Sequence, residues 1–377
     1  MRGLLRALLP PWASLRQAAP GVAVAVALAL IARSFADALA HGAAGLPRFP
    51  LSPVMCAVVL GMLWRNTLGV PAWATSGLKW AMHQLLRTGI ALVGLRLTLL
   101  GASSIALTAL PVAVLCLSVA LGAGWALARL LKVGGRLGAL LAIGTAVCGC
   151  TAVVAISPVI RARHAETAFA VTCVVLFGCA AMLCYPWVAG HFFAASPVHA
   201  GIFLGTAIHD TSQVIGAALM YSQQASAPAA LAAASVAKLL RNLSIAILVP
   251  LAAWLVRRRE TQPPAPRREP ESHDPGLAPR PQLVPMFVLA FIGFIVVRTA
   301  GDTLLGAHSP AWLALVNTGY TASDLLLACG MTAVGLSVAF NDMWRIGWRP
   351  LVTGLAVATL VGGCSLTLTL ALLHFAP

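Results

Sequence analysis

The sequence predicts an all-α membrane protein with about 9–11 hydrophobic segments, inverted repeats and two broken or re-entrant helices at the centre. Composition is the first observation behind this fold class. Hydrophobic residues make up 60% of the 377 residues, charged residues make up 9%, and the mean hydropathy is +0.90, whereas soluble domains carry about 25% charged residues. The second observation is the length of uncharged runs. Four windows of 24 residues lack Asp, Glu, Lys and Arg, namely 105–128, 137–160, 167–190 and 350–373, and about 20 helical residues cross a bilayer core.

Eleven hydrophobic segments follow one another along the chain. Most of them are joined by connections of fewer than fifteen residues. The stretch 257–282 is different, because it begins with three arginines and contains seven prolines. Such a stretch cannot bury a core, so we predict a disordered cytoplasmic linker. The linker separates a membrane domain, 1–256, from the C-terminal membrane helices, 283–377. The segments are 21–40, 51–66, 81–100, 105–128, 137–160, 166–190, 198–221, 229–256, 283–300, 321–341 and 349–373.

Basic residues dominate the charge of the chain, with a net charge of +15. Most of them fall between hydrophobic segments, which is typical of cytoplasmic loops that face anionic lipid. No stretch interleaves aromatic and basic residues as a binder of single-stranded nucleic acid does, so we expect no nucleic-acid partner. Arg2, Arg6 and Arg16 precede an apolar run without a cleavage site, which predicts a retained first helix rather than a signal peptide. We therefore expect a multi-pass protein of the bacterial inner membrane.

The nine cysteines lie inside apolar segments, where a thiol behaves as a small hydrophobic group. No CxxC pair has the spacing of metal ligands, and Cys148 with Cys150 is the one close pair in the sequence. A metal site or a disulfide framework would need other spacings. We expect no metal, no disulfide and no cofactor.

The positive loops predict the path of the chain through the membrane. With the N-terminus inside, the basic loop 129–136 falls in the cytoplasm, as the positive-inside rule requires. If the segment 137–160 crossed completely, Arg161 and Arg163 would fall outside. The conflict disappears if 137–160 and 198–221 each enter the membrane and return on the side from which they came. The sequence therefore predicts two re-entrant or broken segments.

An internal similarity involves the same two segments. Residues 144–154 resemble residues 205–215, 61 positions later, with four of eleven positions identical. Chance similarity between helices rich in small residues is one explanation, and an inverted repeat around a transport site is the other. Gly, Thr and Ser in the middle of both segments favour the repeat, because non-helical backbone needs protein or water partners at that depth. A weaker match relates 89–95 to 330–336, which close helix packing through glycine also explains.

Charged side chains inside apolar segments are expensive in a bilayer and therefore indicate function. Glu166 and Asp324 are set aside, because each stands at a predicted helix start, where an acid is favourable. The candidates in the central part of the chain are Arg96, His209, Asp210, Lys238 and Arg241.

His209 and Asp210 stand on the second broken segment, with Gln213 close by. They form either a buried pair that stabilises unwound backbone or a site for substrate and a coupling proton, since histidine titrates near neutral pH. On a regular helix the two side chains would point about 100° apart. We therefore expect an unwound segment that lets both face one cavity.

Lys238 and Arg241 are three residues apart and share one helix face. Snorkelling at a segment end is one explanation, but the pair stands near the middle of an apolar run. Asp210 supplies only one negative charge, so Lys238, Arg241 and Arg96 leave a surplus of positive charge. This surplus favours an anionic substrate, because guanidinium groups and helix N-termini bind sulfate, phosphate and carboxylate.

Four stretches of the sequence match the motifs of a known family. Gly144-Thr-Ala-Val-Cys148-Gly149 with Ser157-Pro-Val-Ile-Arg161-Ala resembles the first block of the YeiH-type family of proposed sulfate exporters. Gly205-Thr-Ala-Ile-His209-Asp210-x-x-Gln213-Val resembles the second block, with Asp210 in place of the usual Glu. The stretches 89–97 and 237–241 also match, and the resemblance runs from about 20 to 373. It implies a distant similarity to the cation–proton antiporter and bile-acid symporter group, with inverted repeats and crossed broken helices.

Together these features predict a secondary active transporter of a small anion, such as sulfate, sulfite or an organosulfonate, with export coupled to protons. The alternatives are a sodium-coupled symporter of an organic anion and an anion channel. No enzyme signature is found, and the partners expected are the anionic substrate and the lipid bilayer, with a homodimer left open. His209 and Asp210 are assigned to proton coupling. The predicted substrate-binding residues are Cys148, Gly149, Cys150, Thr151, Gln213, Lys238, Arg241 and Arg96.

Overall fold

The structure is a computed structural model that describes residues 12–40, 52–245, 247–248, 250–251, 286–339 and 348–375. The predicted linker 257–282 lies outside these ranges. The regular structure in the described ranges is helical, which confirms the all-α prediction. The α-helices are α1 Trp12–Ala40, α2 Pro53–Thr67, α3 Ala72–Trp80, α4 Leu86–Val93, α5 Leu99–Leu130, α6 Gly135–Ala146, α7 Cys150–Ile156, α8 His164–Phe192, α9 Pro197–Ala207, α10 Thr211–Gln224, α11 Pro228–Leu243, α12 Met286–Gly301, α13 Pro310–Ser337 and α14 Trp348–Phe375.

Five stretches of the described chain are long and apolar enough to cross a membrane: Ala18–Leu39, Leu99–Leu130, Ala165–Phe192, Met286–Gly306 and Trp348–His374. Their exposed faces carry large aliphatic side chains, as lipid-facing surfaces require. Together with the shorter helices packed between them, they confirm a multi-pass membrane architecture.

Two predicted segment boundaries are wrong. The segment predicted to start at 321 is the second half of α13, which begins at Pro310 after Ser309. Proline at the first helical position is favoured, because its missing N–H is not needed there. Asp324 therefore lies inside α13 and caps no helix. The predicted segment 81–100 is interrupted, because the 3₁₀ turn Gly94–Arg96 ends there and Thr98 caps α5, accepting a hydrogen bond from the Gly101 N–H at 3.2 Å. The prediction for Glu166 is confirmed, since it accepts from the Arg163 N–H at 2.8 Å at the start of α8.

Both predicted broken segments are interrupted, and at matching positions. The first pair of helices, α6 and α7, is separated by residues 147–149, and the second pair, α9 and α10, by residues 208–210. The two interruptions are 61 positions apart, the same offset as the sequence similarity. We call α6–α7 hairpin A with tip A (147–149), and α9–α10 hairpin B with tip B (208–210).

Hairpin A folds back on itself. A Cβ atom added at Gly144 would lie 2.7 Å from Val153 Cγ2, although nine residues of straight helix span about 13.5 Å. The end of α7 lies beside the first turn of α8, because Ser157 Oγ and Thr167 Oγ1 are 2.7 Å apart. Hairpin A therefore ends beside the N-terminal end of α8.

Hairpin B begins and ends at the other end of α8. Its first helix, α9, follows α8 after a four-residue connection. Its second helix, α10, returns to that connection, where Tyr221 Oη lies 3.4 Å from the Phe193 carbonyl oxygen. Because α8 is long enough to cross a membrane, the two hairpins approach the centre of the bundle from opposite ends.

Glycines set the register between α9 and α11. Gly201 and Gly205 lie one turn apart, and added Cβ atoms would be 2.4 Å from the Ala230 carbonyl oxygen and 2.7 Å from that of Ala234, respectively. Small residues at this spacing let two helix backbones approach closely. The contacts advance in the same direction along both helices, so α9 and α11 run parallel. Lys238, one turn beyond Ala234, therefore lies level with tip B.

The weaker sequence match corresponds to a reciprocal packing of α4 against α13. An added Cβ at Gly89 would lie 2.9 Å from Leu327 Cδ2, and one at Gly330 would lie 3.0 Å from Leu86 Cβ. Positions 86 and 89 precede 327 and 330 by the same 241 residues. Such exchanged contacts are those of a local two-fold arrangement. The arrangement brings α13 and the α3–α4 helix together on one side of the tips.

Candidate functional site

The two tips meet at Gly149 and Asp210. Gly149 has φ +67° and ψ −123°, a conformation that only glycine adopts without strain. A Cβ atom there would lie 2.9 Å from Asp210 Oδ2 and 3.2 Å from Asp210 Cα. Glycine is therefore needed at tip A twice, for its backbone conformation and for the close approach of tip B.

Lys238 joins the carbonyl groups of both tips. Its side chain is fully buried, and Nζ donates to Val147 O at 2.8 Å and Ile208 O at 3.2 Å. A third hydrogen bond goes to His209 O. The ammonium group thus donates to one carbonyl of tip A and two of tip B.

Arg241 holds the helices that lead into the tips. It is 1% exposed, and its guanidinium donates to Ala146 O from Nε at 3.1 Å and from Nη2 at 2.7 Å. Nη2 also donates to Thr145 O at 2.7 Å, and Nη1 donates to Thr206 O. These oxygens belong to the C-terminal turns of α6 and α9.

Backbone carbonyl groups therefore compensate the positive charge of Lys238 and Arg241, which was not predicted from the sequence. Carbonyl groups in the last turn of a helix have no intrahelical partner and carry the negative end of the helix dipole. Lys238 and Arg241 satisfy these groups for α6 and α9 at once, so a buried carboxylate is not needed beside them. Their predicted direct contact with substrate stays a prediction, and this conformation does not show it.

Asp210 caps α10. Its Oδ1 accepts hydrogen bonds from the Ser212 N–H at 2.9 Å and from Ser212 Oγ at 2.5 Å. An aspartate at this position satisfies a free N–H of the first turn and complements the positive end of the dipole. The carboxylate thus completes the N-terminus of hairpin B's second helix, while Lys238 lies at the C-terminus of the first.

The prediction that His209 and Asp210 face one cavity is wrong. Tip B is unwound, as expected, and Ile208 and Asp210 both have extended backbone. His209 is 1% exposed, and neither ring nitrogen has a hydrogen-bond partner. Asp210 lines the cavity beside the tips, whereas His209 is buried and does not line it.

A cavity of about 440 Å³ lies beside the tips, on the side to which Asp210 points. Helices α3–α4, α7, α8, α10, α12 and α13 contribute to it. Its polar lining residues are His83, Arg87, Cys150, Thr151, Thr172, Asp210, Thr211, Ser212, Gln213 and Ser337. Its apolar lining residues are Met82, Leu86, Ile90, Val171, Val175, Phe287, Val334, Val338 and Ala339.

The cavity brings together only part of the predicted site. Cys150, Thr151, Asp210 and Gln213 line it, whereas the other six candidates do not. Those six are Cys148, Gly149, His209, Lys238, Arg241 and Arg96. The Gly149 N–H is occupied by Gly144 O at 3.0 Å, so it is not free to face an anion there.

Arg96 belongs to a different cluster. Its Nη2 donates to Asp324 Oδ1 at 2.7 Å, and its guanidinium lies 5.0 Å from the ring centre of Tyr320. Tyr320 also accepts a hydrogen bond from Arg298 at 2.6 Å. The candidate Arg96 and Asp324, which was set aside as a capping residue, therefore neutralise each other. This pair corrects the charge count, because Arg96 adds no surplus positive charge.

The cavity also contains two residues, His83 and Arg87, that were not among the candidates predicted from the sequence. His83 and Arg87 lie one turn apart, around the end of the π-turn Ala81–Leu85, a distortion that is frequent at functional sites. His83 Nδ1 lies 2.8 Å from the Lys79 carbonyl oxygen. A carbonyl only accepts, so Nδ1 carries the proton and Nε2 is the nitrogen left for the cavity. The spacing of four residues between His83 and Arg87, which places them on one helix face, was the feature of the sequence that could have identified them.

Comparison with known proteins places this architecture in one family. The family model described as conserved hypothetical protein 698 matches residues 21–354. A UPF0324 membrane protein of Ralstonia nicotianae is 34% identical over 334 residues, which are 84% of this chain and 85% of the relative. Similar proteins of Oceanobacillus iheyensis (30% identical, 83% and 86% covered) and Nitratidesulfovibrio vulgaris (27%, 93% and 92%) carry the same description. No solved structure matches. The chain therefore belongs to the UPF0324 family of bacterial membrane proteins, the YeiH-type family that its motifs resemble.

Proposed function

We propose that this chain is a secondary active transporter that exports a small anion, with sulfate, sulfite and organosulfonates as candidate substrates, in a proton-coupled cycle. One observation carries the proposal: two helical hairpins from opposite ends of the bundle meet at their tips beside a cavity of about 440 Å³. Transporters commonly bind substrate and coupling ion where discontinuous helices meet.

The placement of the hairpins in a bilayer is part of the proposal. Unwound backbone is tolerated at membrane depth only where protein or water satisfies it. Lys238 satisfies carbonyl groups of both tips, Arg241 satisfies those of the helix turns that lead into the tips, and Asp210 satisfies an N–H of α10. The tips therefore have the partners that a position in the middle of a membrane demands.

The anion would bind between Arg87 and the hydroxyl groups near the tips. Arg87 is the cationic side chain with five N–H donors, and it faces the same cavity as Thr151 and Thr211. The Thr211 hydroxyl accepts from Asn242 Nδ2 at 3.2 Å, which leaves its own proton for a ligand. We assign Lys238 to positioning the tips rather than to direct contact.

Asp210 and His83 would carry the coupling proton, because both line the cavity. A proton on Asp210 would weaken the cap of α10 and so loosen tip B, which links protonation to the position of the hairpin. His209 stays the alternative from the sequence analysis. It would need a second conformation that gives it access to water, because it is 1% exposed in this one.

Currents on a solid-supported membrane would test the function. Proteoliposomes are challenged with sulfate, sulfite, taurine, sulfoacetate and simple carboxylates under an imposed pH gradient. We expect saturable currents with at least one anion, and Arg87→Gln should raise the half-saturating concentration about tenfold or more. Arg129→Gln is the matched control, because Arg129 is exposed at the end of α5, where it stacks on Trp125. Absence of current with every anion would refute transport of these anions. Flux that does not saturate would refute a carrier and favour a channel.

Proton coupling is tested separately by the pH dependence of the same currents. Asp210→Asn and His83→Gln keep hydrogen-bonding groups but change or remove titration. We expect either variant to flatten the pH response, and His209→Gln to leave it largely intact. The opposite pattern would return the coupling role to His209.

Sodium coupling has one observation in its favour. The Gln213 amide is oriented by Nε2, which donates to Val175 O at 3.0 Å, so Oε1 is a buried acceptor without a hydrogen-bond partner. Asn242 Oδ1 is in the same situation near Thr211. Uncharged oxygen ligands suit hard cations such as Na⁺. Currents that depend on a sodium gradient and ignore the pH gradient would support this alternative.

A further inference from the structure

The cavity has two chemically different walls. Helix α4 with its π-turn carries a polar and an apolar stripe side by side. The polar stripe consists of His83 and Arg87, and the apolar stripe of Met82, Leu86 and Ile90. Residues four apart on a helix share a face, so each stripe is continuous. Valines of α8 and α13 add to the apolar lining, and residues at the tips add to the polar lining. A ligand that fills this cavity must be amphiphilic.

The volume also exceeds the need of an inorganic oxyanion. About 440 Å³ corresponds to roughly fifteen water molecules at about 30 Å³ each. It falls in the range of about 300–1,000 Å³ of pockets that enclose organic ligands. Sulfate or sulfite would contact the polar wall only and would leave the apolar wall covered by water, which costs free energy in proportion to its area.

The charges of the lining favour a single negative charge on the ligand. Among the described residues that line the cavity, Arg87 is the guanidinium and Asp210 the carboxylate. Lys238 and Arg241 lie behind the tips, where carbonyl groups occupy their donors. A dianion such as sulfate would therefore meet one permanent cation and one opposing acid, since His83 is positive only while it carries the coupling proton. A monoanion is better matched.

We infer that the substrate class is an organic monoanion with an apolar body, such as an alkyl sulfonate or a short-chain carboxylate, and that inorganic sulfate is not the preferred substrate. This inference rests on the proposed anion transport. The anionic head lies at Arg87 and the threonines near the tips, and the hydrocarbon body lies on the stripe of Leu86 and Ile90 and on the facing valines.

A chain-length series tests the inference. Binding of methane-, butane- and hexanesulfonate, and of sulfate, is measured with the purified full-length protein in nanodiscs and by competition of transport currents. Each methylene group placed on the apolar wall contributes about 0.8 kcal/mol, so affinity should rise about fourfold per added methylene. Alkylammonium ions of the same chain lengths are the control for partition into lipid. They partition according to chain length, but they lack the negative charge that Arg87 would bind.

Two substitutions locate the apolar contact. Val175→Thr replaces a methyl group of the wall by a hydroxyl and should lower hexanesulfonate affinity about fourfold while leaving methanesulfonate unchanged. Val114→Thr is the matched control, because Val114 is 50% exposed on the outer face of α5.

The outcomes separate the two proposals. Sulfate that binds as tightly as hexanesulfonate, or a series without chain-length dependence, would overturn the organic-anion inference while anion transport stands. A chain-length slope equal for alkylammonium ions would also overturn it, since lipid partition would then explain binding. Absence of binding and current for every anion would refute the proposed function itself.

Discussion

Replacing Lys238 by methionine tests whether one buried cation holds the two hairpin tips together. Methionine keeps the unbranched shape of the side chain and removes its charge and its three donors. In the native protein Nζ donates to Val147 O at 2.8 Å, to Ile208 O at 3.2 Å and to His209 O. The substitution leaves these three carbonyl groups in a fully buried place without their partner.

The expected magnitude follows from two opposing terms. Each hydrogen bond from a charged donor contributes about 1.5–3 kcal/mol, so three of them give roughly 4.5–9 kcal/mol. Burying the ammonium group costs several kcal/mol, and the substitution removes that cost. Subtracting that cost from the contribution of the hydrogen bonds leaves a net loss of about 3–5 kcal/mol. We expect Lys238→Met to lower the free energy of unfolding by about that amount.

Unfolding in mixed micelles, titrated with SDS, measures this difference. Lys79→Met is the control, because Lys79 is exposed near the end of α3, and a surface change of this kind shifts stability by about 0.5 kcal/mol or less. A second readout is the rate at which a maleimide labels Cys150 in a variant that retains only this cysteine, since loosened tips should expose it. A Lys238→Met protein as stable as the control, with unchanged labelling, would refute the role of Lys238 as the link between the tips.

Three further changes test the contacts around the site. Gly149→Ala should abolish transport. The backbone angle φ +67° costs alanine about 1–3 kcal/mol, and the added methyl group would contact the opposite tip. Gly122→Ala, where an added Cβ contacts nothing, is the control and should transport as well as the wild type. Gly205→Val should lower the thermal midpoint by forcing α9 away from α11, at about 1–3 kcal/mol, and an unchanged midpoint would show that the close approach is dispensable. Arg96→Gln and Asp324→Asn should show a coupling energy of about 1 kcal/mol in a double-mutant cycle without changing anion affinity, and a raised half-saturating anion concentration would return Arg96 to the substrate site.

The sequence was most informative where a local rule has few exceptions. Three of the four uncharged runs lie in the long helices α5, α8 and α14, because a bilayer core fixes the length of a spanning helix. The repeat of residues 144–154 at 205–215 predicted both interruptions at matching positions, since Gly and Thr at mid-segment are compatible with unwound backbone. Buried Lys238 and Arg241 were recognised as special, because a cation in an apolar run is costly.

The partners of these residues could not be predicted from the sequence. Every sequence has backbone carbonyl groups, so nothing marks those of residues 145–147 as ligands of Arg241 and Lys238. Arg96 and Asp324 are 228 positions apart, and their pairing depends on how α13 packs. Asp324 was misassigned because the polar residues just before it suggested a helix start. His83 and Arg87 were not among the predicted candidates, since their importance comes from a cavity that only the folded chain encloses.

The opposite entry of the hairpins has a consequence that labelling can measure. If hairpin A returns to the side it came from, Arg161 lies on the same side as Lys132 in the α5–α6 connection; if hairpin B returns, Ala195 lies on the same side as Ser226 after α10. A chain that crosses the membrane at both segments would instead separate both pairs. Single cysteines at these four positions, probed with a membrane-impermeant maleimide from each side, should therefore react as two matched pairs on opposite faces. The basic loops then stay together in the cytoplasm, as the positive-inside rule requires. Labelling of positions 161 and 132 from opposite sides would refute the hairpin path.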